Sequence, residues 1–225
     1  MCSSDLDTLV AGITAFNASP ISIAPPAGWT RVGGEMTTGS LRQAVFWKTA
    51  TAADLGASTV WTVGASGGKG GQATGAILAI AGGAAFAPWV AGATGTGATI
   101  ATPALTLDTT RSGIALLYGG QAAITSLTGA GSGFTALTTQ NVGWAVSAAS
   151  GNGNVTSGLA TSTPRTAASI AASSLTMAGT STAANIGQTI FVAQSAVATT
   201  ATLRVAPSPS VYGQAVTLSV SVTSG

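Results

Sequence analysis

Apolar runs of five to nine residues alternate along this chain with clusters of Gly, Pro, Ser, Asn and Thr, the rhythm of many short β-strands. The pattern predicts strands over 8–16 (TLVAGITAF), 42–50 (RQAVFWKTA), 58–64 (STVWTVG), 75–81 (GAILAIA), 99–107 (TIATPALTL), 113–119 (GIALLYG), 133–139 (GFTALTT), 141–149 (NVGWAVSAA), 170–178 (IAASSLTMA) and 187–194 (GQTIFVAQ). Several are apolar at odd and even positions alike, as strands covered on both faces must be. The expected fold is all-β, a two-sheet antiparallel sandwich whose outer faces are partly shielded by loops. Alanine favours helix by intrinsic propensity, but these runs lack the Glu, Lys and Arg that solubilise a helix, and Gly interrupts almost every window. One helical turn is expected in TATAADLGA (49–57), with Thr51 as N-cap and Asp54 at the third helical position. The Gly/Ser/Thr-rich tracts at 126–133 and 150–169 read as loops.

One stretch needs a separate decision. Residues 75–95 hold no charge over 21 positions, long enough for a membrane helix. Gly82-Gly83 and Pro88 would break that helix, so the segment reads as a buried strand, a turn and a second short strand near 87–91, with no membrane span. A composition break falls at 195–210, where Pro207 and Pro209 each force the preceding residue to be extended. The expected division is therefore a main domain over 7–194, a connector over 195–210, and a second module beginning at 211. Residues 1–6, MCSSDL, match the translation of a sequencing adapter and are expected to lie outside the natural chain; the alternative is a genuine N-terminus with a free thiol. Without them the chain has no Cys, and seven cations face four anions (Asp7, Glu35, Asp54, Asp108), a net charge of +3.

Charge then narrows the chemistry. Only 5% of residues are charged while Gly alone supplies 31, so the polar surface must be built from hydroxyls, amides and backbone. Seven scattered Lys and Arg cannot neutralise a row of phosphates, which argues against nucleic acid as partner. The absence of His removes the usual general base and the commonest metal ligand, so neither cofactor nor metal is expected. Lys69 in SGGKGG lacks the following Ser or Thr of a phosphate loop and reads as a flexible hairpin tip. Lys48 lies in an apolar strand with no recognisable partner. Glu35, Asp54 and Asp108 could supply a glycosidase carboxylate pair, but they fall in three separate loops or strand ends, where acids more often cap turns. The chain is expected not to be an enzyme.

The five tryptophans are the residues best suited to a ligand. Trp29 follows a Pro-Pro-Ala-Gly turn and is expected to fold back as a plug over one end of the core, and Trp47 and Trp61 lie in strands as interior residues. Trp89 and Trp144, with Tyr118, are the candidates for a ligand face, because an aromatic plane complements the C–H face of a sugar. Core packing is the competing account for each. Asn17-Ala18-Ser19 and Asn154-Val155-Thr156 match the glycosylation pattern by chance of composition.

LVAGITAF, IAPPAGWT, VFWKTA followed by TAADLGASTVWTV, and GAILAIAGG together resemble a phage-tail-like or bacterial surface β-sandwich domain. That resemblance covers 7–194 and implies a jelly-roll fold with no catalytic signature. The tail PSPSVYGQAVTLSVSVT (207–223) resembles the opening of a bacterial Ig-like repeat of the kind found in surface adhesins and phage structural proteins. In such a repeat Val216, Leu218, Val220 and Val222 would face the core, and Thr217, Ser219, Ser221 and Thr223 the solvent. An incomplete module over 211–225 is expected to hang as a tail or form a two-stranded ribbon. Together the resemblances imply a structural or adhesive protein, extracellular, on a cell surface or a virion. Its partners would be a host-surface glycan or neighbouring structural subunits. A homo-oligomer, such as a trimer, would suit a fibre, and a carbohydrate-binding module is the alternative.

Overall fold

The computed structural model describes residues 7–16, 21–54, 59–65, 72–82, 87–142, 154–179, 182–194, 199–206 and 217–224. Their strands are β1 (Thr8–Phe16), β2 (Ile21–Ala24), β3 (Thr30–Thr38), β4 (Leu41–Thr49), β5 (Thr62–Ala65), β6 (Gln72–Ile80), β7 (Trp89–Thr96), β8 (Thr99–Thr102), β9 (Leu105–Gln121), β10 (Leu127–Ala130), β11 (Phe134–Val142), β12 (Val155–Ser162), β13 (Arg165–Ile170), β14 (Ser173–Met177), β15 (Ala184–Ala193), β16 (Thr199–Ala206) and β17 (Thr217–Ser224). Among the described residues a 3-10 turn spans Ala52–Asp54.

Two antiparallel sheets, ordered β3-β4-β1-β6 and β11-β12-β9-β15-β7 with β13 also on β9, face each other. The period of two sorts each strand between layers. Val10, Val32 and Val45 of the first sheet meet Leu116, Tyr118, Leu159, Ile190 and Val192 of the second. The odd positions of β1, Ala11, Ile13 and Ala15, point away and pack with Ala44 and Phe46 under Ile23 of the β2–β5 pair and under Trp29. On the far side Leu117 and Ala160 meet Ile100, Leu175 and Met177 of a third sheet, β10-β14-β8, while Ala115 and Phe191 meet Leu105, Leu107 and Ile170. Both central sheets are thus covered outside as well as inside. That is why β1 and β15 are apolar on both faces. Each fully buried Leu, Ile or Phe contributes about 1.5–3 kcal/mol.

The covering is done by small sheets rather than by loops, which corrects several expectations. The tracts 126–133 and 150–169 contain β10, β12 and β13. β12 (VTSGLATS) is almost wholly buried although it is built of small and hydroxylated residues. Close packing requires them: a Cβ on Gly158 would lie 3.2 Å from Leu127 Cδ2, and Thr156 Oγ1 donates to Ala123 O at 2.7 Å. The expected strand 99–107 divides at Pro103, which has no N–H to give a ladder, so β8 joins the third sheet and β9 the second. β3 is a strand beyond those the pattern predicts, because Gly33 and Gly34 interrupt its alternation at a register shift between Val32 and Met36. The uncharged run 75–95 folds as β6, a turn with Gly82 at φ 65°, and β7. No helix among the described residues is long and apolar enough to cross a membrane.

The chain divides into two compact units, 1–194 and 195–225. The second holds an antiparallel ribbon of β16 and β17. Part of the expected connector is therefore a strand, because TTATLRVA carries apolar residues at alternate positions. The register sets Ala201, Leu203 and Val205 opposite Val222, Val220 and Leu218. Val216 lies outside the described residues.

Candidate functional site

Of the three residues nominated for a ligand face, Tyr118 is excluded from it: only 1% of its surface is exposed, at the centre of the sandwich. Trp144 lies outside the described residues. Trp89, at the start of β7, is half-buried at the rim of the cluster around Phe191, whose ring centroid is 6.3 Å away. The Arg111 guanidinium lies 4.9 Å from its ring centroid. Asp108 holds that guanidinium as a fork, accepting from Nε at 3.2 Å and Nη2 at 3.0 Å. Residues three apart on a regular strand point to opposite faces. Here the pairing of β13 with β9 steps from Ala167–Arg111 to Ser169–Thr106, and the extra β9 residues let Asp108 turn back onto Arg111. The Arg111 bond keeps the Asp108 carboxyl below its usual range.

A second aromatic group lies on the outer face of the first sheet. Trp29 meets Trp61 edge to face at 5.0 Å, and Phe46 lies 6.1 Å from Trp61. Arg31 sits over Phe46 at 5.6 Å and Lys48 over Trp29 at 5.7 Å. Glu35 is paired with Arg31 at 3.6 Å and Arg42 at 4.0 Å, and also accepts from Ile23 N. Asp54 accepts from Lys48 and from the N–H and hydroxyl of Thr51, the carboxylate half of the cap expected of TATAADLGA, while the Thr51 hydroxyl donates to Asp54 instead of accepting from a helical N–H. Lys48 therefore has two partners where the sequence suggested none. Trp29 is not a plug over one end but part of the outer layer, packed against the odd face of β1. Trp47 and Trp61 are only partly buried, and the buried indole N–H of each has no hydrogen-bond partner among the described residues.

Glu35 and Asp54 thus flank one aromatic cluster, while Asp108 belongs to the Trp89 patch. The bond from Lys48 holds the Asp54 carboxyl below its usual range, with Thr51 adding to it. Asp54 is an anion at neutral pH and has no proton to give a leaving group. Because the pair is partly buried but keeps some contact with solvent, Asp54→Ala is expected to cost about 1 kcal/mol in urea denaturation, from the ion pair and the cap together. The stabilisation from Asp54 is present at neutral pH and fades as the pH falls through its lowered pKa.

Between the central sheets runs a neutral hydrogen-bond chain that the sequence reading missed. Thr14 Oγ1 donates to Gln43 Oε1 at 3.0 Å, so the Tyr118 hydroxyl, 2.9 Å away, donates to Thr14. Ser157 bonds to the Tyr118 oxygen and lies 3.4 Å from Thr74 Oγ1. Gln43 Nε2 donates to Gln188 Oε1 at 2.9 Å. Thr74, Ser157, Tyr118, Thr14, Gln43 and Gln188 come from β6, β12, β9, β1, β4 and β15, three strands of each sheet. Two glycines make room: a Cβ on Gly12 would lie 2.6 Å from the Tyr118 ring, and one on Gly120 2.7 Å from Gln43 Oε1. The available signal was Gln43, an amide on a strand face otherwise made of Leu41, Val45 and Trp47.

Among the described residues no group of three or more His, Cys, Asp or Glu could hold a metal ion. Comparison with protein-family models, with curated proteins and with solved structures gives no match.

Proposed function

We propose that the chain is a non-enzymatic structural and adhesive module of a surface protein, of a phage tail or decoration protein or of a secreted bacterial adhesin. The observation that carries this reading is the engagement of Asp7, Glu35, Asp54 and Asp108. Asp7 accepts from Gly82 N, and the other three accept from cations and local donors. A layered sandwich whose interior polar groups are neutral, and whose surface is rich in hydroxyls, suits display outside a cell or on a virion. We read the main domain as jelly-roll-like and β17 as a strand of an Ig-like repeat. The test is a panel of glycosidic, ester and peptide substrates. No turnover is expected, and turnover abolished by Glu35→Gln or Asp54→Asn would overturn the reading.

The Trp89 patch favours a second reading, a carbohydrate-binding module. Its partly buried indole lies beside a charged fork, the pairing of apolar plane and directional polar groups that a sugar requires. Titration against a glycan panel should then give binding that Trp89→Ala weakens about 10-fold or more, about 1.4 kcal/mol. Binding unchanged in that variant would remove Trp89 from the ligand face.

A further inference from the structure

β2 and β5 pair with each other and, among the described residues, with no strand of the sheet they cover. Their alternation turns Ile23 and Val63 down onto the cluster of Ala11, Ala44 and Phe46, and leaves Ser22, Ala24 and Thr62 exposed. In an antiparallel ladder the N–H and C=O of one residue point to the same side. Those of Ile23 point to β3: its N–H donates to Glu35 Oε2 at 3.2 Å, and its carbonyl accepts from Arg31 Nη2 at 2.6 Å. Ser22 and Ala24, opposite Gly64 and Thr62, therefore face β5. Two side chains of β3 stand where a ladder would otherwise be.

We propose that the β2–β5 pair is a lid that opens as a unit from the outer face of the first sheet, with Arg31 and Glu35 as its latch. The latch groups keep partners without the lid. Released from Ile23, Arg31 still has Glu35 at 3.6 Å and the Phe46 ring at 5.6 Å, and Glu35 still has Arg42 at 4.0 Å. Opening therefore leaves no charge unpaired, and the penalty of an orphaned ion does not arise. What resists opening is the burial of Ile23, which is fully enclosed, together with Val63 and the edge-to-face contact of Trp61 on Trp29. That is a small part of the apolar surface that joins the two central sheets, so the lid opens at a lower free energy than the domain unfolds. From β2 the chain returns to β3 through a turn in which Trp29 N donates to Pro26 O and Gly28 has φ 83°, and this turn is the hinge. Opening uncovers Ala11, Ala44 and Phe46.

The test is amide hydrogen exchange of the full chain, read by NMR in urea below the unfolding transition. After correction for intrinsic rates, β2 and β5 amides are expected to exchange at least ~100-fold faster than those of β1 and β4. Their exchange should be nearly flat in urea, because little surface is uncovered, whereas that of β1 and β4 should rise steeply. Glu35→Ala removes the acceptor of the Ile23 N–H and should speed β2 and β5 exchange a further ~5-fold or more while β1 and β4 stay protected. β2 and β5 amides that match β1 and β4 in rate and urea slope would overturn the lid. Exchange of β2 and β5 unchanged by Glu35→Ala would overturn the latch.

Discussion

Replacing Gly187 by alanine is expected to lower the stability of the sandwich by about 3 kcal/mol, the upper part of the range for overpacking a core. In a chain of this size that is a fall in Tm of about 6–12 °C. Gly187 lies on β15 and faces the third sheet, where an added Cβ would come close to Ala101 O and 2.9 Å from Ile100 Cγ2. The obstacle is backbone, and β8 cannot retreat from it. Asn185 Nδ2 donates to Gly97 O at 2.9 Å and Thr99 O at 3.3 Å, while Thr189 Oγ1 donates to Pro103 O at 2.5 Å. These clamps lie two residues either side of Gly187. Ile100, fully buried among Leu117, Leu175 and Met177, anchors the strand between them. Gly34, with nothing within 4 Å of its would-be Cβ, is the control, and Gly34→Ala should stay within about 0.5 kcal/mol of wild type. Thermal melts of both variants decide the point; a Gly187→Ala protein that melts with the wild type would mean that the third sheet is not held as closely as these contacts require.

The same packing explains which parts of the fold could be read from sequence. Strands lined by Val, Ile, Leu and Phe, such as β1, β4 and β15, stood out because a strand buried on both faces is a continuous apolar run. β12 did not, because it is buried by being small: Gly158 lets Leu127 approach, and its Thr and Ser hydroxyls bond inward instead of to water. Hydropathy cannot separate such a strand from a Gly/Ser/Thr loop. β16 was hidden by the neighbouring prolines, although its own alternation, matched across the ribbon by β17, was sufficient.

The candidate site was less legible for a related reason. The local cap of Asp54 on Thr51 follows from three residues of sequence. The pairing of Asp108 with Arg111 depends on a register break that no pattern announces, and the approach of Arg31 to Phe46 depends on β3, which the alternation did not reveal. Tyr118 offers the same aromatic plane in sequence whether it lies in the core or on a ligand face, and Thr14 and Ser157, far away in sequence, supply the partners that let it be buried.

That burial leads to the second large effect, an alkaline loss of stability carried by Tyr118. Burial pushes its phenol up to about 12 from an ordinary 10.0, and the hydrogen bonding with Thr14 and Ser157 only partly opposes the shift. Below pH 10 the phenol is protonated in both folded and unfolded chains, and the stabilisation is fully present. Above pH 10 the unfolded chain releases the proton while the folded chain keeps it until about pH 12, so stability falls with rising pH across that window. Two pH units correspond to about 3 kcal/mol. Tyr118→Phe should cost about 1–3 kcal/mol at neutral pH, because Thr14 loses a donor and Ser157 an acceptor in a space closed to water. It should also flatten the alkaline slope, since phenylalanine has no proton to lose. Urea midpoints of both proteins from pH 8 to pH 11.5 separate the two effects: a constant offset reports the broken chain, a converging difference reports the phenol. Parallel profiles would mean that Tyr118 ionises as readily folded as unfolded, against its enclosure between two sheets with no cation beside it among the described residues.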